Sequence, residues 1–242
     1  MTHAEAQKLL DKIVGQIFGY QNPLSLEQFQ KKFTFDIKLP QEVIDSSDGS
    51  TTWAQSTNPT RFIKMSNAHS IDLSDKAARE SVSFLRPSRP LNNMQDVLAA
   101  WNEINLTTTE RWVDSINVTE SDNVDGSENV FRSQDIRRSR NILFTDGSTA
   151  CEFMAACQRS RNSTFCIRLD DSGECTNCFN VSWSGKLTNC LFMHDCGDMQ
   201  DSMFCTNISG EQFCIANMQY SEAEYRKLRD EVVRWILSPA AM

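Results

Sequence analysis

Residues 115–133 read SINVTESDNVDGSENVFRS, and Ser115, Val118, Ser121, Val124, Ser127, Val130 and Ser133 fall on every third position. The residues between them carry the charges. The register does not break: it runs on through Ile136, Ser139, Ile142, Thr145, Ser148, Cys151, Met154, Cys157 and Ser160, and continues to Cys214. Of the 34 positions in this series Glu211 alone is charged, against 21 charges in the other two registers of the same segment. An α-helix repeats at about 3.6 residues and would drift out of this pattern within two turns, while a strand repeats at about 2. An unbroken period of three describes a narrow solenoid, with every third side chain pointing inward and tight bends between. Ser133, Ser139 and Ser160 are then expected to be buried, with hydroxyls bonded to backbone carbonyls, and Gln134 to face outward.

The outward residues set the coil length. Gly173, Gly185 and Gly197 are spaced by 12, Ser209 is next in line, and Gly126, Gly147 and Gly210 fall at or beside the same corner. Glycine serves where the backbone needs φ > 0, so the spacing predicts one sharp corner per coil. Asn117, Asn129, Asn141, Asn177 and Asn189 share another column, as stacked amides can. Wrapping at 18 residues scatters these columns, and 12 aligns them. A 24-residue coil of two similar halves stays open, because Val, Leu and Met crowd a 12-residue interior. The expected fold is mainly β: a parallel β-solenoid (β-helix) over residues 113–215, rising ~4.8 Å per coil. A mixed α/β, loop-rich region over 1–112 precedes it, and a capping helix over 216–242 follows.

With small Ser and Cys inward at every third position of a 12-residue coil, residues 115–214 resemble the beetle hyperactive antifreeze solenoids. The resemblance implies the architecture. Those proteins bear a Thr-x-Thr row, and the matching columns here read Asn/Phe and Phe/Leu/Ile, so ice binding does not follow. If the antifreeze geometry holds, Cys151/Cys157 and Cys190/Cys196 face each other across a coil. The stretch Asn177-Cys178, Asn189-Cys190 and Phe213-Cys214-Ile215-Ala216-Asn217, followed by Tyr220-Ser221 and a helix, is also similar to Asn/Cys-rich repeat proteins of bacteria and their phages. That likeness implies no activity.

Outside the repeat, Ala6, Leu9, Leu10, Ile13 and Ile17 mark a helix ending near Gly15 and Gly19. Ser25 with Gln28 forms a capping box for a short helix through Phe29 and Phe33. Phe33, Phe35, Ile37 and Leu39 alternate and predict a strand stopped by Pro40. Residues 41–90 read as long polar loops with a short helix near Asp75–Ser81, able to reach a neighbour. A helix over Met94–Ile104 carries Val97, Leu98 and Trp101 as its apolar stripe. Ser221 with Glu224 opens a last helix, striped by Tyr225, Leu228, Val232, Trp235 and Ile236, that is expected to cap the solenoid's end.

Net charge of −8 and a pI near 5.0 argue against nucleic acid as a partner. The basic stretch of Arg132, Arg137, Arg138 and Arg140 is interrupted by Asp135, with Glu128 close by. The first residues have no basic region leading into an apolar run, so no signal peptide is expected. No stretch approaches the ~18 apolar residues of a membrane span. The expected location is cytoplasmic or virion-associated. Nine cysteines, an odd number, then read as reduced thiols.

Cys175 and Cys178 form a CxxC near Cys190 and Cys196, but the period of three already explains every cysteine as a small inward residue, and no metal or cofactor is expected. His3, His69 and His194 sit in unrelated contexts and support no catalytic arrangement. Asp170, Asp171, Asp195, Asp198 and Asp201 are outward acids of the kind that bind calcium or cleave polysaccharide in larger β-helices, and also of the kind that simply suit bends. No catalytic residue is assigned. The informative outward feature is aromatic. Phe153, Phe165 and Phe213 share one column, Phe131 and Phe179 a second, and Phe144, Phe192 and Phe204 a third. Leu143, Ile167, Leu191 and Met203 complete the middle column, with Ala155. Such an apolar face needs a cover: the N-terminal region, the last helix, or a second subunit. These twelve residues, Ala155 aside, are the candidate interaction site. The expected function is a non-enzymatic structural or interaction subunit of a larger assembly, with a carbohydrate-binding or carbohydrate-cleaving β-helix as the alternative.

Overall fold

The computed structural model describes residues 1–55, 60–64 and 86–238. The helix expected near Asp75–Ser81 and His69 lie outside the described residues. Over residues 112–215 the chain winds into a parallel β-solenoid of about nine 12-residue turns. Val118 pairs with Val130, Val130 with Ile142, Ile142 with Met154, and Met154 with Cys166. Val124, Ile136, Ser148 and Ser160 pair in the same way on a second row. Each step joins residue i to i+12, which settles the coil at 12 rather than 24.

The crowding that left the longer coil open is resolved by alternation. One coil places Ser127 and Ser133 between Val130 and Ile136; farther along, Leu187 and Met193 alternate with Cys190 and Cys196, and all eight are buried. The large residues thus exchange columns along the rod, so no coil must hold four large side chains. Glu211, the one charge in the inward register, lies exposed in the last coil.

The inward serines do more than save space. Ser139 Oγ donates to the carbonyl of Arg137 at 2.8 Å and accepts from the amide of Cys151, one coil on, at 3.1 Å. Ser133 bonds the Phe131 carbonyl and the Thr145 amide in the same way, at 2.8 and 3.0 Å. Cys157 substitutes a thiol, donating to Ala155 O and accepting from Leu169 N. Ser160 is buried and donates to carbonyls as expected. A buried amide facing the interior needs an acceptor there, and a small hydroxyl or thiol supplies it.

The corners differ from the glycine-based expectation. From Asp114 to Ala216 every third residue has positive φ, so each coil has four left-handed corners rather than one sharp one. Asn and Asp are the commonest occupants, as their side chains tolerate this region best, yet Phe144, Phe153 and Phe192 also adopt it. Gly173, Gly185 and Gly197 are not among the positive-φ residues. They form a stack of bridges with Ser209 in which backbones approach closely: a Cβ on Gly173 would lie 3.2 Å from the Arg161 carbonyl. The asparagine column is present, with Asn117, Asn129 and Asn141 joined by amide bonds of 2.8 and 2.9 Å. Gln134 is a second departure: it is buried and donates to Asp146 at 3.1 Å.

Helix α1 (His3–Phe18) starts on a Thr2/Glu5 capping box and ends on left-handed Gly19. Helix α2 (Leu26–Phe33) starts on the Ser25/Gln28 box. The strand expected over Phe33–Leu39 is absent. Phe33 closes α2, Ile37 N turns back to Thr34 O at 3.1 Å, and Phe35 is exposed; its alternation was a helix end followed by a turn. The region read as loops contains a hairpin, β1 (Gln41–Ile44) with β2 (Thr51–Ala54), and β3 (Arg61–Lys64), which pairs in parallel with β4 (Leu106–Thr109). Helix α3 (Met94–Asn102) forms, but none of its residues is buried and its stripe of Val97, Leu98 and Trp101 is exposed. Helix α4 (Glu222–Leu237) begins on the Ser221/Glu224 box and buries Tyr225, Val233, Ile236 and Leu237, a face turned from the expected one, with Leu228 and Trp235 left partly outside. The last turn of the rod ends in an antiparallel hairpin, β5 (Cys214–Ile215) with β6 (Met218–Gln219).

Candidate interaction surfaces

The apolar face is real, and the chain covers it itself. Phe131, Leu143, Phe144, Ile167, Phe179, Leu191 and Met203 are buried in one cluster with Leu10, Ile13, Val14 and Ile17 of α1, Phe29 and Phe33 of α2, and Tyr225, Val233 and Ile236 of α4. Phe179 is the centre of the seam, with the rings of Phe18 and Phe33 edge-on at 5.4 and 5.6 Å. Phe153, Phe165, Phe192 and Phe213 are partly buried at its margins, with Lys12 over the Phe153 ring and Trp235 beside Phe192. Only Phe204, at 41% exposure, remains largely open. As an interface for another subunit these residues are therefore corrected: the cover is intramolecular, from the N-terminal helices and the last helix together. The stripe of the 16-residue α1 packs on the middle column together with residues of α2 and α4.

Polar contacts pin the cover at its edges. Arg168 grips Asp36 with two bonds of 2.8 and 2.7 Å and donates to the Phe33 carbonyl at 2.7 Å. The Arg168 hydrogen bonds hold the Asp36 carboxyl below its ordinary range. Lys32 donates to the carbonyls of Ile236 and Ser238, and Arg229 to that of Ile17, tying α2 and α1 to α4.

The other candidate groups do not converge. All nine cysteines are buried and free, and burial pushes the Cys157 and Cys190 thiols up to about 12. Cys175 and Cys178 are likewise raised, Cys175 chiefly by its hydrogen bond with Cys178 and Cys178 chiefly by burial. Among the described residues no group of His, Cys, Asp and Glu is arranged to hold a metal ion. Asp170 and Asp171 face Arg159, Asp198 lies 3.9 Å from Lys186, and Asp201 is buried and bonded to Asn189. His3 packs edge-on against Phe131, while exposed His194 meets Ser182 Oγ at 3.1 Å and the Trp183 ring at 5.4 Å. Among the described residues no helix is long and apolar enough to cross a membrane.

Half a coil from the covered column lies a second face that the aromatic reading passed over. Its middle column is Asp125, Arg137, Thr149, Arg161, Gly173, Gly185, Gly197 and Ser209, paired one above another. Left-handed corner columns flank it: Asp135, Gly147, Arg159, Asp171, Trp183 and Asp195 on one side, and Arg138, Ala150, Asn162, Glu174, Lys186 and Asp198 on the other. The coils from 135 to 161 set four arginines against Asp135; the coils from 171 to 198 set four acids against Lys186. Arg137, Arg138 and Arg161 are exposed and form no ion pair among the described residues. Between the arginine coils, Gly147 and Thr149 leave a shallow hollow of about 410 Å³ lined also by Arg137, Arg159 and Arg161. Wrapping at 12 aligned the glycines of this column, but a column mixing both charges carries no signal until its two halves are compared.

No family model, curated protein or solved structure matches the chain. What is established of its class is the fold: a β-solenoid of 12-residue coils with helices on one face.

Proposed function

We propose that the chain is a non-catalytic structural or interaction subunit of a larger assembly, a virion or a cellular structure of similar build. One observation carries this reading. The rod's apolar face is occupied by its own helices, while among the described residues nothing covers the opposite face, which presents side chains in straight rows on fixed left-handed corners. A rigid, regular, charged surface with a filled interior suits docking to another ordered surface better than it suits enclosing a substrate. The test is the mass of the chain in extracts of its own source. An assembly subunit runs in a particle far above the 27.5 kDa of one chain, and a source protein that runs at single-chain mass refutes the reading.

A second reading rests on Trp183, which is 60% exposed beside His194. An exposed indole on a β-face can stack on a sugar ring, as a carbohydrate-binding or carbohydrate-cleaving β-helix would use it. A rise in melting temperature with a defined oligosaccharide, lost in Trp183→Ala, would favour it.

A further inference from the structure

We propose that the free face is the contact between two antiparallel copies of this chain, related by a two-fold axis that passes between the coils of Arg161 and Gly173. The proposal rests on the assembly reading above and names its partner.

A two-fold contact is isologous: the same patch serves both copies, and each pairing occurs twice. With the axis lying across the rods at mid-face, each column meets itself running the other way. The middle column then sets Arg161 against Gly173, Thr149 against Gly185, and Arg137 against Gly197. Each side chain meets a position with none, and the glycine stack provides room where the arginines need it. In one corner column Arg159 meets Asp171 and Trp183 meets Gly147, which opens the hollow described above. In the other, Arg138 meets Asp198, Asn162 meets Glu174 and Lys186 meets Ala150. Only Asp135 with Asp195 sets like charges opposite each other, and the unpaired Arg137 adjoins that pair.

The parallel arrangement is worse on the same residues. It would face Arg137 with Arg137, Arg161 with Arg161, and Asp171 with Glu174, and like charges directly opposed disfavour docking. A long anionic polymer would suit the arginine coils but not the four acids beyond them. The occupant that matches both halves is a second copy.

The full-length chain should sediment as a dimer at tens of micromolar in about 50 mM salt and dissociate in about 500 mM, because exposed charge pairs are screened. Arg138→Asp should weaken association about tenfold, and Asp198→Arg should do the same. The double variant Arg138→Asp/Asp198→Arg should restore it, since each copy carries both partners of the swapped pair. Circular dichroism checks that the single variants are folded, and sedimentation reads their weakened association. A chain that stays monomeric in low salt, a dimer indifferent to either variant, or a double variant that fails to recover overturns the proposal. If the recombinant chain is monomeric but the source protein sits in a large particle, the two-copy contact fails and the assembly reading stands. Single-chain mass in both ends both.

Discussion

The interior hydroxyls provide the sharpest test of the coil. Ser139→Ala removes one oxygen from a buried site and nothing else. The Arg137 carbonyl keeps a partner, because Ala150 N also donates to it at 3.1 Å. The Cys151 amide does not: its acceptor is Ser139 Oγ at 3.1 Å. Leaving one buried amide unpaired costs roughly 1–3 kcal/mol, so the variant should lose about 2 kcal/mol. Ser139→Cys should lose less, about 1 kcal/mol or under, because the Cys157 thiol already makes the same pair of contacts. Ser139→Lys puts a long charged chain in an interior with no partner and should cost several kcal/mol, about the most that one substitution does. Ile116→Lys, at an outward position 69% exposed and opposite Glu128, should change stability by under about 0.5 kcal/mol. Urea unfolding followed by circular dichroism, with slopes compared between variants, ranks the four. Equal midpoints for Ser139→Ala and the parent, or equal loss from the two lysines, would refute the inward assignment.

Three further outcomes follow from the burial of particular groups. Because burial raises the thiols of Cys157 and Cys190 to about 12, native protein at pH 8 should react with a thiol reagent far more slowly than urea-unfolded protein; rapid native labelling of most of the nine cysteines would contradict the closed interior. Burial also raises the Asp146 carboxyl, against the hydrogen bond from Gln134. A raised carboxyl means that the fold holds the proton more tightly than the unfolded chain, so its contribution is lost as pH rises from the ordinary carboxylate range through the raised value. Asp146→Asn should therefore be stabilising at pH 7 and near neutral at pH 3, and a pH-independent difference would be the wrong result. Finally, Leu10→Asp, on the buried stripe of α1, should lift the helix from the apolar face and make the folded protein bind a fluorescent apolar dye; unchanged dye binding would mean that α1 is not the cover.

The solenoid was legible because the inward position imposes one demand, no charge and no bulk beyond its share, at every coil from Ser115 onward. That demand leaves the same mark many times. The corners were misread because φ > 0 was sought at glycines. Here Phe144 and Arg138 are held there by coil-to-coil bonds, which offset the local cost that would keep such residues out of an isolated turn. Phe33–Leu39 failed for a different reason: four apolar residues at spacing two are also what a helix end and a tight turn leave behind. Gln134 looked outward by register, yet a long amide beside Asp146 folds down onto the coil.

The two opposed faces show why one half of the candidate site was read and the other was not. Apolar residues attract attention singly, so the column of Phe131, Leu143, Ile167 and Phe179 announced itself, and the only open issue was its cover. Charged residues inform only by relation. Arg138 and Asp198 are each unremarkable on an acidic protein; their meaning lies in being five coils apart in one straight column. That relation exists only after the chain is wrapped at 12 and the face is compared with itself reversed. The covered face packs α1, α2 and α4 onto the rod. On the other face the close backbone approach at Gly173 and the Arg159–Asp171 and Lys186–Asp198 pairs already serve the fold, so what the proposed contact between copies adds is a reason for their order: arginines against glycines and acids under reversal.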